Sequence, residues 1–202
     1  MPHVVTVLGS ASSHSRSANL LERVELPLAQ RSIESVRVEI RKLAPDALLG
    51  GDVAHPQIAE AIAAIESADG VVVATPLYKA SYSGLLKVFL DLLPRDALRC
   101  KPVLPLATGG SLAHLLAVDY ALNPVLASLG AEHIIGGVFA TEADMRQLAG
   151  TFELSPSVAT RLSEAVDGLA QIIEDKQDLR ALRCRPPSVH VSKEPSTNAC
   201  AA

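Results

Sequence analysis

The stretch VVVATPLYKASYSGLLKVFLDLL, Val71 to Leu93, decides the fold. Val71-Val72-Val73-Ala74-Thr75 is a short apolar run rich in β-branched residues, stopped by Pro76. That is the composition of a strand buried on both faces. Beyond the loop Pro76 to Gly84, Leu85, Leu86, Phe89, Leu92 and Leu93 recur at helical spacing, with Pro94 just past the end. A doubly buried strand that runs straight into an amphipathic helix is half of a βαβ unit. Such units require a parallel sheet with helices packed on it.

The same alternation extends in both directions. Upstream, Val4 to Leu8 reads as a buried strand ended by Gly9-Ser10, and Leu20, Leu21, Val24 and Leu28 place a helix over Ser17 to Ala29. Val36 to Ile40 alternates with period two, as an edge strand does. Pro56 opens a helix carrying Ile58, Ile62 and Ile65 on one face. Downstream, Pro102 to Ala107 is a fourth strand, Leu112 to Leu129 a helix, His133 to Phe139 a fifth strand, and Val158 to Leu182 a last helix. These β-α units predict an α/β fold with a flavodoxin-like, five-stranded parallel sheet of order 2-1-3-4-5 and helices on both faces. The expected domain covers residues 1–184. Residues 185–202, dominated by Pro, Ser, Lys and Glu, read as a disordered tail.

Composition removes several function classes. With 18 Lys and Arg against 22 Asp and Glu, the net charge of −4 argues against a nucleic-acid or polybasic membrane surface. No apolar run is long enough to span a bilayer, and Met1 to Leu8 lacks the features of a signal peptide. Cys100, Cys184 and Cys200 form neither a complete disulfide set nor a metal-ligand pattern, so a reducing, cytoplasmic setting and no metal are expected. Aromatic residues make up only 3% of the chain, which leaves few rings to stack on a ligand.

In a sheet of this order, ligands bind at the loops following strands one, three and four. The first is Gly9-Ser10-Ala11-Ser12-Ser13-His14-Ser15-Arg16-Ser17. It offers hydroxyls, backbone N–H groups and one guanidinium just before a helix, which are the parts of a phosphate site. A solvated helix cap has the same composition, but the place at the switch point favours phosphate. Neither G-x-G-x-x-G nor G-x-x-x-x-G-K-[ST] occurs, so a dinucleotide fingerprint and a nucleotide-hydrolysing P-loop are both disfavoured. The second loop, Pro76-Leu77-Tyr78-Lys79-Ala80-Ser81-Tyr82-Ser83-Gly84, can lie along a planar heterocycle, with Ser83 as an N-cap. The third, Thr108-Gly109-Gly110-Ser111, permits close backbone approach to a ligand. Ser10, His114 and Asp119 supply the residue types of a hydrolase triad, but no G-x-S-x-G elbow accompanies them.

These three loops, with Leu85-Leu86-Lys87 continuing the second, resemble those of the NAD(P)H-dependent FMN reductases. The run Ala113-His114-Leu115-Leu116-Ala117-Val118-Asp119-Tyr120-Ala121-Leu122 is similar to the reductase partners of two-component alkanesulfonate monooxygenases. The resemblance covers Val4 to Phe139. It implies FMN phosphate at Ser10, Ser15, Arg16 and Ser17, and flavin-ring contacts from Pro76, Leu77, Tyr78, Lys79, Thr108, Gly109 and Gly110. Ser83, closing the second loop, is counted with the flavin-binding residues. FMN is expected as an exchangeable substrate, NADPH or NADH as hydride donor, and a flavin-dependent monooxygenase as partner. The chain departs from the family pattern at Ala11-Ser12-Ser13-His14, and His14 is given no role.

Hydride transfer from nicotinamide to flavin N5 needs no side-chain nucleophile or base, so no catalytic side chain is expected. A flavodoxin-type electron carrier should show more rings and a strongly acidic face. A flavin-bound quinone or azo reductase on the same fold is left open, as is a phosphate-binding module without flavin.

The segment from Leu112 to Leu126 is apolar on nearly every face, and Pro124 cannot donate to the carbonyl of Tyr120. A second buried contact is therefore expected, most simply a homo-oligomer (dimer or tetramer) formed through residues 112–126. The resemblance implies that Tyr120 sits in a π-helical bulge at a tetramer interface.

Overall fold

The computed structural model describes residues 1–148 and 151–183; the expected tail, with Cys184 and Cys200, lies outside the described residues. The chain opens with β1 (His3–Leu8), α1 (Arg16–Gln30) and β2 (Glu34–Glu39). A short α2 (Pro45–Gly50) and the longer α3 (Pro56–Ser67) lead to β3 (Gly70–Tyr78). Then follow β4 (Ser81–Tyr82), α4 (Gly84–Leu90), β5 (Pro102–Gly109) and α5 (Asn123–Ser128). The last elements are β6 (His133–Ile134), β7 (Val138–Thr141), β8 (Met145–Leu148), β9 (Thr151–Leu154) and α6 (Pro156–Arg183).

The main sheet runs β2-β1-β3-β5-β6, with β7 also on β5 and β4 on β3. It has seven strands, where the sequence predicted five. Two local causes account for the difference. β3 continues past Pro76 and folds back as a hairpin, pairing Leu77 with Tyr82 and Tyr78 with Ser81. The strand predicted over His133 to Phe139 is broken between Ile134 and Val138, opposite Leu104 and Pro105 of β5. Pro105 has no N–H to give a ladder, and Gly136-Gly137 lets the chain bend there. A Cβ on Gly137 would lie 3.0 Å from Val118 Cγ1 and 3.2 Å from Pro105 Cγ, so glycine suits this close approach. The β8-β9 hairpin is a separate two-stranded sheet that the sequence pattern did not reveal.

Period-two alternation divides the core between the two faces. Val5, Val7, Val71, Val73 and Val103 pack with Ile58, Ile65, Leu86, Phe89, Val118, Leu122 and Leu126. Val4, Val72, Leu104 and Leu106 pack with Leu20, Leu21, Val24, Leu28, Leu162, Leu169 and Ile173 of α1 and α6. At roughly 25 cal/mol per Å² of apolar area, this double burial is the main favourable term holding the layers together.

The helix predicted over Leu112 to Leu129 is instead broken in three. A 3₁₀ turn spans Leu112–His114, a π-helical turn spans Val118–Leu122, and only Asn123–Ser128 is α-helical. Asn123 N–H reaches back to the Val118 carbonyl, because Pro124 cannot continue the i to i−4 ladder. The apolar residues thereby separate. Ala117, Val118, Leu122 and Leu126 enter the core, while Leu112, Leu115, Leu116 and Tyr120 face outward. Among the described residues, no helix is long and apolar enough to cross a membrane, and no group of His, Cys, Asp or Glu could hold a metal ion.

Candidate active site

The C-terminal ends of β1, β3, β5 and β7 surround a cleft of about 510 Å³. Its lining includes Ser15, Arg16, Pro76, Leu77, Tyr78, Thr108, Gly109 and Gly110. All three predicted loops therefore meet at one place, as the sheet order requires.

Ser15 is the N-cap of α1: its Oγ accepts from Ala18 N–H at 3.1 Å. Arg16 follows as the first helical residue, in a first turn that carries no acidic side chain. The N–H groups at a helix start lack intrahelical acceptors and face this end of the cleft with the positive pole of the helix dipole. Gly9 fixes the loop's origin. Its N–H donates to the Ala74 carbonyl at 2.8 Å, and a Cβ there would lie 2.7 Å from Leu86 Cβ.

The second loop is a tight hairpin. Lys79 and Ala80 have φ of 51° and 63°, the two left-handed central residues of a type I′ turn. Neither is Gly, Asn or Asp, so the turn is strained by roughly 1–2 kcal/mol per residue. The third loop runs along the opposite wall. Gly109 packs against Phe139, where a Cβ would lie 2.9 Å from Cζ, whereas the Gly110 Cβ position has nothing within 4 Å.

Four predicted site residues do not line the cleft. Ser10 is buried, and its Oγ accepts from Ser12 N–H at 3.2 Å, bracing the loop from inside. Ser17 is buried too, its hydroxyl paired with Thr108 Oγ1 at 2.8 Å, which ties the first loop to the third. Lys79 sits exposed at the hairpin turn. Ser83 caps α4 through Leu86 N–H at 3.1 Å and donates to the Gly9 carbonyl, so both functions of its hydroxyl are engaged away from the cleft. The three serines share one physical reason: the loops must be braced and fastened to one another, and short hydroxyls do this from behind. Lys79 is carried away from the cleft by the hairpin turn it occupies.

The sequence reading missed Glu142, Gln147 and Phe152, which also line the cleft with Ser12 and His14. Glu142 follows β7, whose Thr141 pairs with Gly109. Gln147 and Phe152 face each other across the β8-β9 hairpin, which is fastened to α1 by Arg23 Nη2 donating to the Phe152 carbonyl at 2.6 Å. Short, weakly patterned strands gave no signal of this hairpin. Despite the low aromatic content, Tyr78 and Phe152 both border the cleft.

Charge at the cleft is concentrated at one end. Arg16 Nη1 pairs with Glu142 Oε1 at 2.7 Å, and among the described residues the buried Arg16 Nε has no acceptor. The turn bearing Glu142 is closed by Asp144, which accepts from the Thr141 hydroxyl at 2.7 Å, the Thr141 N–H at 2.9 Å and the Ser155 hydroxyl at 2.9 Å. Those donors, the Thr141 hydroxyl first, hold the Asp144 carboxyl below its ordinary pKa. The cleft thus offers a cation and a helix start at one end, apolar backbone along one wall, and a glycine-lined opposite wall. An elongated planar ligand with a terminal anion fits these groups.

A parallel α/β sheet with its cleft at this switch point defines a flavodoxin-like protein. The chain belongs to the NADPH-dependent FMN reductase family, whose model matches residues 2–145, and it is an oxidoreductase. An FMN reductase (NADPH) of Escherichia coli is 42% identical over 184 residues, covering 89% of this chain and 96% of that protein. The NADH-dependent FMN reductase SfnE of Pseudomonas putida is 36% identical, covering 71% of this chain and 78% of that one. Among solved structures, an NADH:FMN oxidoreductase (EMOB) in its apo form superposes with a TM-score of 0.78 at 42% identity, covering 85% of this chain and 89% of the other.

Proposed function

We propose that this enzyme transfers hydride from nicotinamide C4 of NADPH or NADH to N5 of FMN and releases the reduced FMN to a separate flavin-dependent monooxygenase of the alkanesulfonate type. FMN reduction by NAD(P)H is the activity of the family to which the chain belongs. The observation that carries the reading to this cleft is the Arg16 guanidinium at the start of α1, with an unsatisfied Nε. It matches a terminal phosphate and has no counterpart need in a neutral quinone.

In this reading Arg16 and the first turn of α1 hold the phosphate. Pro76, Leu77 and Tyr78 flank one edge of the flavin, and Thr108, Gly109 and Gly110 the other. The chemistry belongs to the two nucleotides; the chain aligns them and offers backbone donors where charge develops. Ser10, Ser17 and Ser83 act at one remove, by fixing the loops. The outward apolar face of Leu112, Leu115, Leu116 and Tyr120 receives a second copy of this chain. The cleft and that face share the loop running out of β5, so subunit assembly and flavin binding are neighbours in the fold.

The test is steady-state oxidation of NADPH and NADH with FMN as the varied substrate, alongside gel filtration of the flavin-loaded protein. The expected result is saturation by free FMN and loss of most flavin on the column. Stoichiometric flavin retained through gel filtration, with ping-pong reduction of a quinone and no dependence on free FMN, refutes the proposal.

A further inference from the structure

We infer that Glu142 and the ligand's phosphate compete for the Arg16 guanidinium, and that this competition keeps FMN exchangeable. The inference rests on the reading of Arg16 as the phosphate anchor. The geometry shows how a contest arises. Glu142 engages Arg16 through one oxygen on Nη1, at 2.7 Å, and leaves the buried Nε without an acceptor. A guanidinium has five N–H donors in a planar fork, and a phosphate has enough oxygens to take two of them at once. The carboxylate therefore holds the cation by a partial set of its donors, and a phosphate can offer a fuller one.

Glu142 is also built to let go without disturbing the fold. Its backbone is fixed on both sides: Thr141 pairs with Gly109 in the sheet, and Asp144 closes the following turn. Its side chain is 59% exposed, so the carboxylate can swing into water by rotamer change alone. After the exchange it remains within a few bonds of the same turn, close to the bound anion. Of the groups lining the cleft, His14, Tyr78, Arg16 and Glu142 are the titratable ones. Among the described residues lining the cleft, Glu142 is the one carboxylic acid.

The consequence is selective. A flavin without phosphate leaves the Arg16–Glu142 pair untouched, whereas FMN must displace the carboxylate and then sit beside it. Glu142 thus lowers affinity for FMN in particular, which suits a substrate that has to depart after reduction.

The experiment is flavin-fluorescence titration of FMN and riboflavin against the wild type, Arg16→Ala, Glu142→Gln and the double variant. Glu142→Gln should tighten FMN by about three- to tenfold and lower its KM, with riboflavin changed by less than about twofold. In the Arg16→Ala background the same substitution should gain clearly less. If Arg16→Ala lowers the FMN-to-riboflavin affinity ratio but Glu142→Gln weakens FMN or leaves it unchanged, the competition is refuted while the phosphate anchor stands. An equal gain in both backgrounds also refutes it, because the effect is then general repulsion. An affinity ratio unmoved by Arg16→Ala removes the anchor itself, and the inference with it. Because both side chains are partly exposed, thermal melts of all four proteins should stay within a few degrees of one another.

Discussion

Replacing Ser83 by alanine separates a residue that fastens the site from one that touches the ligand. Ser83 is only 4% exposed, and its hydroxyl has two partners. It accepts from Leu86 N–H at 3.1 Å as the N-cap of α4, and it donates to the buried carbonyl of Gly9. Loss of an N-cap costs about 1 kcal/mol. A buried carbonyl deprived of this donor costs about 1–3 kcal/mol more. The expected destabilisation is about 2–4 kcal/mol, or a fall in Tm of about 6–12 °C at the middle of that range for a chain of this size. Ser15→Ala is the comparator, since Ser15 caps α1 at 3.1 Å but is half-buried, and it should cost about 1 kcal/mol. Urea unfolding followed by circular dichroism measures both. Ser83→Ala should also raise the KM for FMN severalfold, because the released Gly9 carbonyl lets the first loop drift from the other two. A destabilisation below about 1 kcal/mol, or a KM effect with no loss of stability, would mean that Ser83 meets the ligand directly and that the fastening role is wrong.

Two further outcomes follow from burial and charge. Leu116 is 58% exposed and Val118 is 4% exposed, although they are two residues apart on one apolar segment. Leu116→Asp should yield a folded protein of lower oligomeric order by analytical ultracentrifugation, whereas Val118→Asp should fail to fold, since a desolvated carboxylate costs several kcal/mol. A wild type already monomeric at micromolar concentration, or an intact oligomer in Leu116→Asp, removes the proposed interface. Asp144 has its folded-state pKa held below the ordinary 3.8, chiefly by the Thr141 hydroxyl. Its contribution is therefore complete above 3.8 and is lost as pH falls through the lower folded-state value. Asp144→Asn should reduce the acid dependence of stability below pH 4 in urea titrations at stepped pH; an unchanged slope would show that the carboxylate contributes nothing there.

Sequence by itself determined the layers and the location of the site. Val4 to Leu8, Val71 to Thr75 and Pro102 to Ala107 are legible as buried parallel strands because a strand covered on both faces needs continuous apolar residues, and few other elements of that length do. Once the order is fixed, chain connectivity brings the three loops together without any knowledge of side-chain contacts. A disturbed ladder ahead of Pro124 was legible for the same kind of reason, since Pro124 removes a particular donor wherever the helix packs, whereas its π-helical form was implied only by the family resemblance.

Tertiary structure decided which residues face the ligand and which face one another. Ser10 and Ser17 were expected at the phosphate and Ser83 at the flavin, and their hydroxyls are engaged instead with the chain itself: Ser10 inside the first loop, Ser17 and Ser83 between loops. A short hydroxyl bonds whatever comes within about 3 Å, and sequence does not give that distance. The split of residues 112–126 into a core face and an outward face depended on where the broken ladder turned Val118 and Leu116. Glu142 and Phe152 enter the cleft through partners more than a hundred residues away, Arg16 and Arg23. Long-range pairing of that kind leaves no local period in the chain, so only the folded arrangement could show that the cation of the first loop already has a carboxylate beside it.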